Sequence, residues 1–277
     1  MHLTREHIDA YCLSHLEDER SAGTISKYRR DLTAFSLWLD GRAVTKESAT
    51  AWKACLLNRD YAPRTVNAML AAVNGFCRFA GLPIKLKFLS IQRQIFRDSA
   101  KELTKEEYDR LLAAARESNQ ERLALIMETL CATGIRVSEL RYITVEAALA
   151  GRATITLKGK IRTILLPAKL CRKLVKYARK QKIAAGEIFL TSSGRGISRR
   201  QVWFELKRLC KAAGVEPTKV FPHNLRHLFA TTFYRAQRDI VRLADMLGHS
   251  SIDTTRIYLT VSGTEQQRQL DRLGLVS

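Results

Sequence analysis

The hydrophobic positions in the first eighty residues repeat at helical spacing. In TISKYRRDLTAFSLWL, Ile25, Tyr28, Leu32, Phe35 and Leu39 share one stripe, with Arg29 and Arg30 off it. APRTVNAMLAAVNGFCRFAG repeats the pattern with Val66, Met69, Leu70, Val73 and Phe76, and Pro63 and Gly81 suit its first turn and its end. Shorter helices near 4–18 and 45–58 complete a predicted bundle of about four helices over residues 1–82. The stripes are its core. Arg29, Arg30, Lys53, Arg64 and Asn67 lie off them and are candidates to face a ligand.

The helical period then breaks. GLPIKLKFLSIQRQIFRDSAKEL has no clean repeat and carries Pro83, Lys85, Lys87, Arg93 and Arg97. Residues 83–100 read as a linker, and its cations either touch a polyanion in passing or are simply solvated. From Leu103 the pattern returns. Thr104 and Glu107 form a capping box opening a helix through Leu111, Leu112 and Ala115, and ERLALIMETLCAT is a second helix stopping at Gly134. RATITL and RTILLP flank LKGKI as two strand-like runs, so a β-hairpin with lysines at its tip is expected. Helical segments fill the rest, without repeats or low-complexity tracts. The expected fold is mostly α with a small β-sheet: a helical domain over 1–82, a linker over 83–100 and a second domain over 101–277.

Charge sharpens the picture. Of 277 residues, 47 are Lys or Arg and 27 are Asp or Glu, a net charge of +20. Residues 1–100 hold 15 basic and 10 acidic side chains, and residues 101–277 hold 32 and 17, so the second part should make most phosphate contacts. Such an excess attracts nucleic acid first and an anionic membrane surface well behind it. No apolar run reaches a membrane span and the N-terminus lacks an apolar signal core, which argues for a cytoplasmic protein. Cys12, Cys55, Cys77, Cys131, Cys171 and Cys210 are scattered without a CxxC pair, and read as buried thiols rather than disulfides or a zinc site.

The familiar enzyme loops are absent: there is no GxGxxG, GxxxxGK[ST], HExxH or GxSxG. Four other pieces could carry chemistry. In FPHNLRHLFATTFYRA, Leu225, Leu228, Phe229, Thr232 and Phe233 form an apolar face, while His223, Arg226 and His227 lie on the other side. That side is either plainly solvated or a phosphate grip in which Arg offers a planar fork and His a proton. In DIVRLADMLGHSSIDTTRIYL, Gly248 ends a helix, His249 sits in the turn and Ser251 is a candidate N-cap before Tyr258. A tyrosine hydroxyl titrates near pH 10 and needs cations and a base to become a nucleophile. In ATGIRVSEL, Arg136 opens a helix and Glu139 is placed to orient it. Finally, LKGK sets Lys158 and Lys160 on the hairpin tip.

Taken in order, ATGIRVSEL, the hairpin lysines, HxxRH, LGHSS and a tyrosine nine residues on resemble the tyrosine recombinase (phage integrase) family. The motifs cover residues 101–262, and the layout of the whole chain is similar to that of the simple Xer-like members. The resemblance implies a SAM-like core-binding domain followed by a catalytic domain with a C-terminal tail helix. It implies that Tyr258 attacks a scissile DNA phosphate, forming a 3′-phosphotyrosine and, after strand exchange, a Holliday junction. Arg136, Arg226 and His249 would hold the phosphate, His223 would accept the tyrosine proton and Lys158 would protonate the leaving 5′-oxygen. Glu139 would support Arg136, and His227 would pack. The family's hairpin reads closer to GKGxKxR, so Lys160 is an alternative to Lys158. Lys85, Lys87 and Arg93 join the off-stripe residues as DNA contacts. No cofactor or metal is implied; partners would be double-stranded DNA with specific sites, three further copies of the chain and, optionally, DNA-bending proteins. Integration, excision and resolution of DNA elements all fit. Two rivals share the features: a type IB topoisomerase, which would not need two sites, and a DNA-binding regulator of the same fold, which would not need Tyr258.

Overall fold

Four helices form where the apolar stripes ask for them: α1 (Arg5–Glu17), α2 (Ala22–Leu39), α3 (Lys46–Asn58) and α4 (Pro63–Phe79). Side-chain oxygens of Thr4, Ser21 and Thr45 cap the first three, and Pro63 occupies the first turn of α4. Helix α2 begins before the stripe because Ser21 accepts the Thr24 N–H. Phe35, Leu39, Trp52, Leu56, Leu70, Val73 and Phe76 close the core. The computed structural model describes residues 1–91, 99–157, 160–258, 267–268 and 271–273, with the side chains of 99, 157 and 160 outside the description. It divides the chain into two units, Met1–Arg93 and Gln94–Ser277.

The stretch after α4 is not a free tether over its described part. It runs extended along the first unit. Asn74 donates to the Leu86 carbonyl (2.9 Å) and accepts its N–H (2.7 Å), and Asn67 does the same with Leu89 (2.9 and 2.7 Å). Seven residues of helix and three of extended chain each span about 10 Å, so two asparagines two turns apart match two residues of a strand.

The second unit contains α5 (Lys105–Glu117), α6 (Glu121–Thr133), a 3₁₀ turn (Val137–Tyr142), α7 (Val145–Ala150), β1 (Arg152–Leu157) and β2 (Lys160–Leu165). It continues with α8 (Ala168–Lys180), α9 (Arg199–Ala213), α10 (Pro222–Gln237), α11 (Ile240–Leu247) and α12 (Ile252–Arg256). Helix α6 is buried along its length through Leu123, Ile126, Met127 and Leu130. A smaller cluster of Ala230, Leu243, Leu247 and Tyr258 sits beside this core. The hairpin is antiparallel, with Arg152 opposite Leu165 and Leu157 opposite Lys160. The second strand therefore starts two residues before RTILLP, and Lys160 belongs to it rather than to the tip. Lys158 and Gly159, which connect the strands, lie outside the described residues.

Cys12, Cys77 and Cys210 are buried as expected, but Cys55, Cys131 and Cys171 are only half-buried; all six are unbridged. Among the described residues, no helix is long and apolar enough to cross a membrane.

Candidate active site

The site begins at a glycine. Gly134 closes α6 at φ +64°, and a Cβ there would stand 2.3 Å from the Phe229 ring, so only glycine fits the reversal. Two residues later Arg136 caps the 3₁₀ turn. The Glu139 carboxylate accepts the Arg136 backbone N–H (2.7 Å) and its guanidinium (3.1 Å), and is itself 1% exposed. The Arg136 side chain remains 41% exposed on the wall of a cavity of 800 Å³.

Arg226, on α10, is buried. It donates to the carbonyls of Gly134 (2.7 Å) and Leu247 (2.8 Å) and to Nε2 of His249 (2.9 Å), and the Tyr258 hydroxyl lies within its reach. Burial, then the charge of Arg136, lowers its pKa. Two guanidinium groups held this close repel each other, and an anion between them relieves that repulsion.

A guanidinium has only donors, so Nε2 of His249 is an acceptor and the ring proton sits on Nδ1. Nδ1 then donates to Thr255 Oγ1 at 2.8 Å. Burial first, and then Arg226, Arg136, Arg162 and His223, push the His249 pKa down to about 4. The imidazole is neutral, and with DNA absent it orients Arg226.

Tyr258 follows α12, its N–H donating to the Thr255 carbonyl (2.9 Å), and its side chain is buried. The His249 ring lies parallel to it at 6.1 Å between centroids, and the His227 ring meets it edge-on at 5.2 Å. The polar side of α10 is thus not a solvated face: Arg226 and His227 are buried against the His249 turn and Tyr258, while His223 alone of the three is exposed at the cavity rim. The structure brings together Arg136, Glu139, His223, Arg226, His227, His249 and Tyr258. It does not place Lys158, and it places only the backbone of Lys160.

Several lining residues escaped the sequence reading. Arg199, Arg200 and Trp203, on the first turns of α9, extend the cavity wall. Their signal was the doublet Arg199–Arg200 ahead of an exposed Trp203 on an otherwise amphipathic helix. Thr255 and Arg162 act through the groups described above; Arg162, two residues after Lys160, falls on the last position of the GKGxKxR hairpin pattern, which does not name its partners. Among the described residues, no group of three His, Cys, Asp or Glu side chains gathers as metal ligands would.

In the first unit, Arg29 pairs with Asp9, and Arg30, 74% exposed, reaches Asp31 at 3.0 Å. Arg64, Lys85 and Lys87 are exposed, and the Lys85 carbonyl accepts from Lys46. Two further expected DNA contacts also have partners within the protein. The Asn67 amide is occupied by Leu89, and Lys53 donates to the Lys87 carbonyl at 2.7 Å. Arg93 lies outside the described residues.

Residues 101–265 match the phage integrase family, and residues 8–81 match the phage integrase N-terminal SAM-like domain. The chain is 30% identical to tyrosine recombinase XerA of Pyrococcus furiosus, over 93% of this chain and 90% of that one. It is 33% identical to tyrosine recombinase XerC of Roseiflexus castenholzii, over 91% and 88%. Two solved structures share the fold. One is the XerH site-specific recombinase bound to difH substrate before cleavage (TM-score 0.69, 17% identity, 96% and 89% of the chains). The other is a lambda integrase tetramer on a Holliday junction (TM-score 0.71, 20% identity, 91% and 76%).

Proposed function

Because this chain belongs to the phage integrase family and is a tyrosine recombinase, an enzyme that cleaves and rejoins DNA strands, we propose that Tyr258 is its nucleophile in site-specific recombination. The observation that carries this reading is the convergence of Arg136, Arg226, His249 and His223 with Tyr258 on one cavity. The phenolic oxygen attacks the scissile phosphorus as the bond to the 5′-oxygen breaks, leaving a 3′-phosphotyrosine. His223 takes the phenolic proton, and Lys158 or Lys160 supplies one to the 5′-oxygen. Arg136 and Arg226 hold the non-bridging oxygens, where charge builds. Attack by the 5′-hydroxyl of another strand reverses each step and yields the Holliday junction.

When phosphate draws the Arg226 donors to itself, Nε2 of His249 is released. The Thr255 hydroxyl then donates to Nδ1 and the ring proton moves to Nε2, where it faces the phosphate. Helix α9 adds Arg199 and Arg200 to the DNA side. We assign residues 1–82 to core-site DNA binding and 101–277 to catalysis, joined by 83–100. Four copies work on two DNA sites, a reading supported by the likeness to a lambda integrase tetramer bound to a Holliday junction, and the tail beyond Tyr258 docks on a neighbour. Leu273 of that tail is 61% exposed, while Leu270 and Leu275 lie outside the described residues. Six unbridged thiols suit the reducing cytoplasm.

The test is covalent trapping. Wild-type protein and Tyr258→Phe are incubated with DNA carrying a candidate site, in EDTA, and quenched in detergent. A protein–DNA band from the wild type only is expected. A band from Tyr258→Phe, or none from the wild type despite specific binding, overturns the assignment.

A further inference from the structure

The hairpin that carries both candidate acids, Lys158 and Lys160, is held by an arginine that the preceding mechanism does not use. On β1, the Tyr142 hydroxyl donates to the carbonyl of Thr156. On β2, Arg162 stands opposite Ile155 and its side chain is 16% exposed. Its guanidinium donates to Glu139 Oε2 at 2.7 Å and to the Met246 carbonyl at 3.1 Å. It also packs against Gly248, where a Cβ would stand 2.7 Å from the guanidinium carbon. Glu139 is the carboxylate that holds Arg136, and Met246 to Gly248 is the turn that presents His249. One side chain therefore spans three segments that are far apart in the chain.

We propose that Arg162 is a positioning residue for the general acid: it locks the hairpin to the Arg136–Glu139 pair and to the His249 turn, so that the hairpin lysine stands at the leaving 5′-oxygen. The inference rests on the phosphotyrosine mechanism proposed for this site. Several features point to the hairpin as the element that depends on Arg162. Without it, Glu139 keeps both contacts from Arg136, and Arg226 still holds the Leu247 carbonyl beside the His249 turn. Ala153 and Ile164, which pair near the base of the hairpin, anchor that end in the core. Arg162 ties β2 down two residues from Lys160 and four from Lys158. A catalytic group displaced by about 1 Å can cost 10²-fold in rate.

The experiment compares single-turnover cleavage of two otherwise identical DNA sites. One carries the natural 5′-oxygen and the other a bridging sulfur in its place. A thiol titrates near pH 8.5, far below an alcohol, so a thiolate leaves without a proton and the sulfur substrate bypasses the acid. Arg162→Met, which keeps the aliphatic stem, and Arg162→Lys, which keeps the charge but reaches only one acceptor, are measured beside Lys158→Ala, Lys160→Ala and the wild type. DNA affinity and the thermal midpoint are recorded for each.

We expect Arg162→Met to lose about 10²-fold and Arg162→Lys about tenfold on the oxygen substrate. Both should return to within about threefold of wild type on the sulfur substrate, as should the variant of the acid lysine. Equal defects on both substrates would overturn the proposal, because Arg162 would then act through the phosphate grip or through folding. So would unimpaired cleavage of the oxygen substrate. If Arg162→Met does not fold, Arg162→Lys decides on the same criteria. Absence of wild-type cleavage on both substrates instead refutes the phosphotyrosine reading, and the role of Arg162 with it. Loss by neither lysine variant, with wild type active, refutes the hairpin acid and likewise removes that role.

Discussion

The two units bury polar groups to different ends. In the first unit, Asp31 is the buried charged side chain among the described residues, and Lys27 (2.8 Å) and Arg30 (3.0 Å) both come from its own helix to neutralise it. In the second, Glu139, Arg226, His227 and Thr255 are buried beside one cavity, and Glu139 and Arg226 draw partners from segments more than twenty residues away. Taking a charge out of water costs several kcal/mol unless geometry and hydrogen bonds compensate. The first unit keeps that cost local, where it supports a helix. The second unit accepts it across its tertiary structure, and in return it has preorganised cations in a partly enclosed site.

That contrast is broken most forcefully by Arg226→Ala. The change removes one of two phosphate-holding guanidinium groups and leaves the carbonyls of Gly134 and Leu247 without their donor. Cleavage should fall by at least about 10³-fold and stability by about 3 kcal/mol. Asp31→Asn is its counterpart in the first unit. It should lower stability by about 1 kcal/mol and leave the rate of covalent complex formation on bound DNA unchanged. Single-turnover cleavage and chemical denaturation of both variants check the pair. A large cleavage defect in Asp31→Asn would show that the local pairing also serves the chemistry.

A smaller effect tests the strap along α4. Asn74→Ala removes two hydrogen bonds to Leu86 and Asn67→Ala two to Leu89. Each should cost about 1–2 kcal/mol by denaturation. The double variant should cost less than the sum, because either loss frees the same strand. Strict additivity would mean that the two clips hold independent pieces of chain.

How much of this was legible in the sequence follows the same division. The four helices of the first unit lie close to where Leu32, Phe35, Val73 and Phe76 place them, since a repeat of 3.6 needs only local sequence. The strap was not legible, because an asparagine on a helix looks the same whether it meets solvent or a strand. Gly134, Arg136 and Glu139 were readable as a unit because their contacts span at most five residues. The contacts of Arg162 were not, since its partners are 23 and 84 residues away. The polar face of α10, taken alone, stayed open between solvent and a phosphate grip for a similar reason: what covers Arg226 and His227 is the His249 turn and Tyr258, which no helical period announces. The hairpin was visible as two β-rich runs, but its register was not, and it moved Lys160 from the tip into a strand.

The mildest expected effect is on pH dependence, and it should be confined to the second unit. His249 has its pKa pushed down to about 4 by burial and by the arginines around it, against about 6.5 in an unfolded chain. Between those values the unfolded state binds a proton that the folded state refuses, so stability rises with pH from about 4 to about 6.5 and then levels. Acidification from pH 7 to pH 5 should therefore weaken the second unit through this ring, by about 1 kcal/mol once solvent screening of a half-buried group is included. The His249→Asn variant has nothing to titrate there, and its denaturation midpoint should change less over the same interval. The first unit, followed through Trp38 and Trp52, should be indifferent to the substitution. An equal acid slope in the variant would mean that the arginines around the ring do not disfavour its protonation.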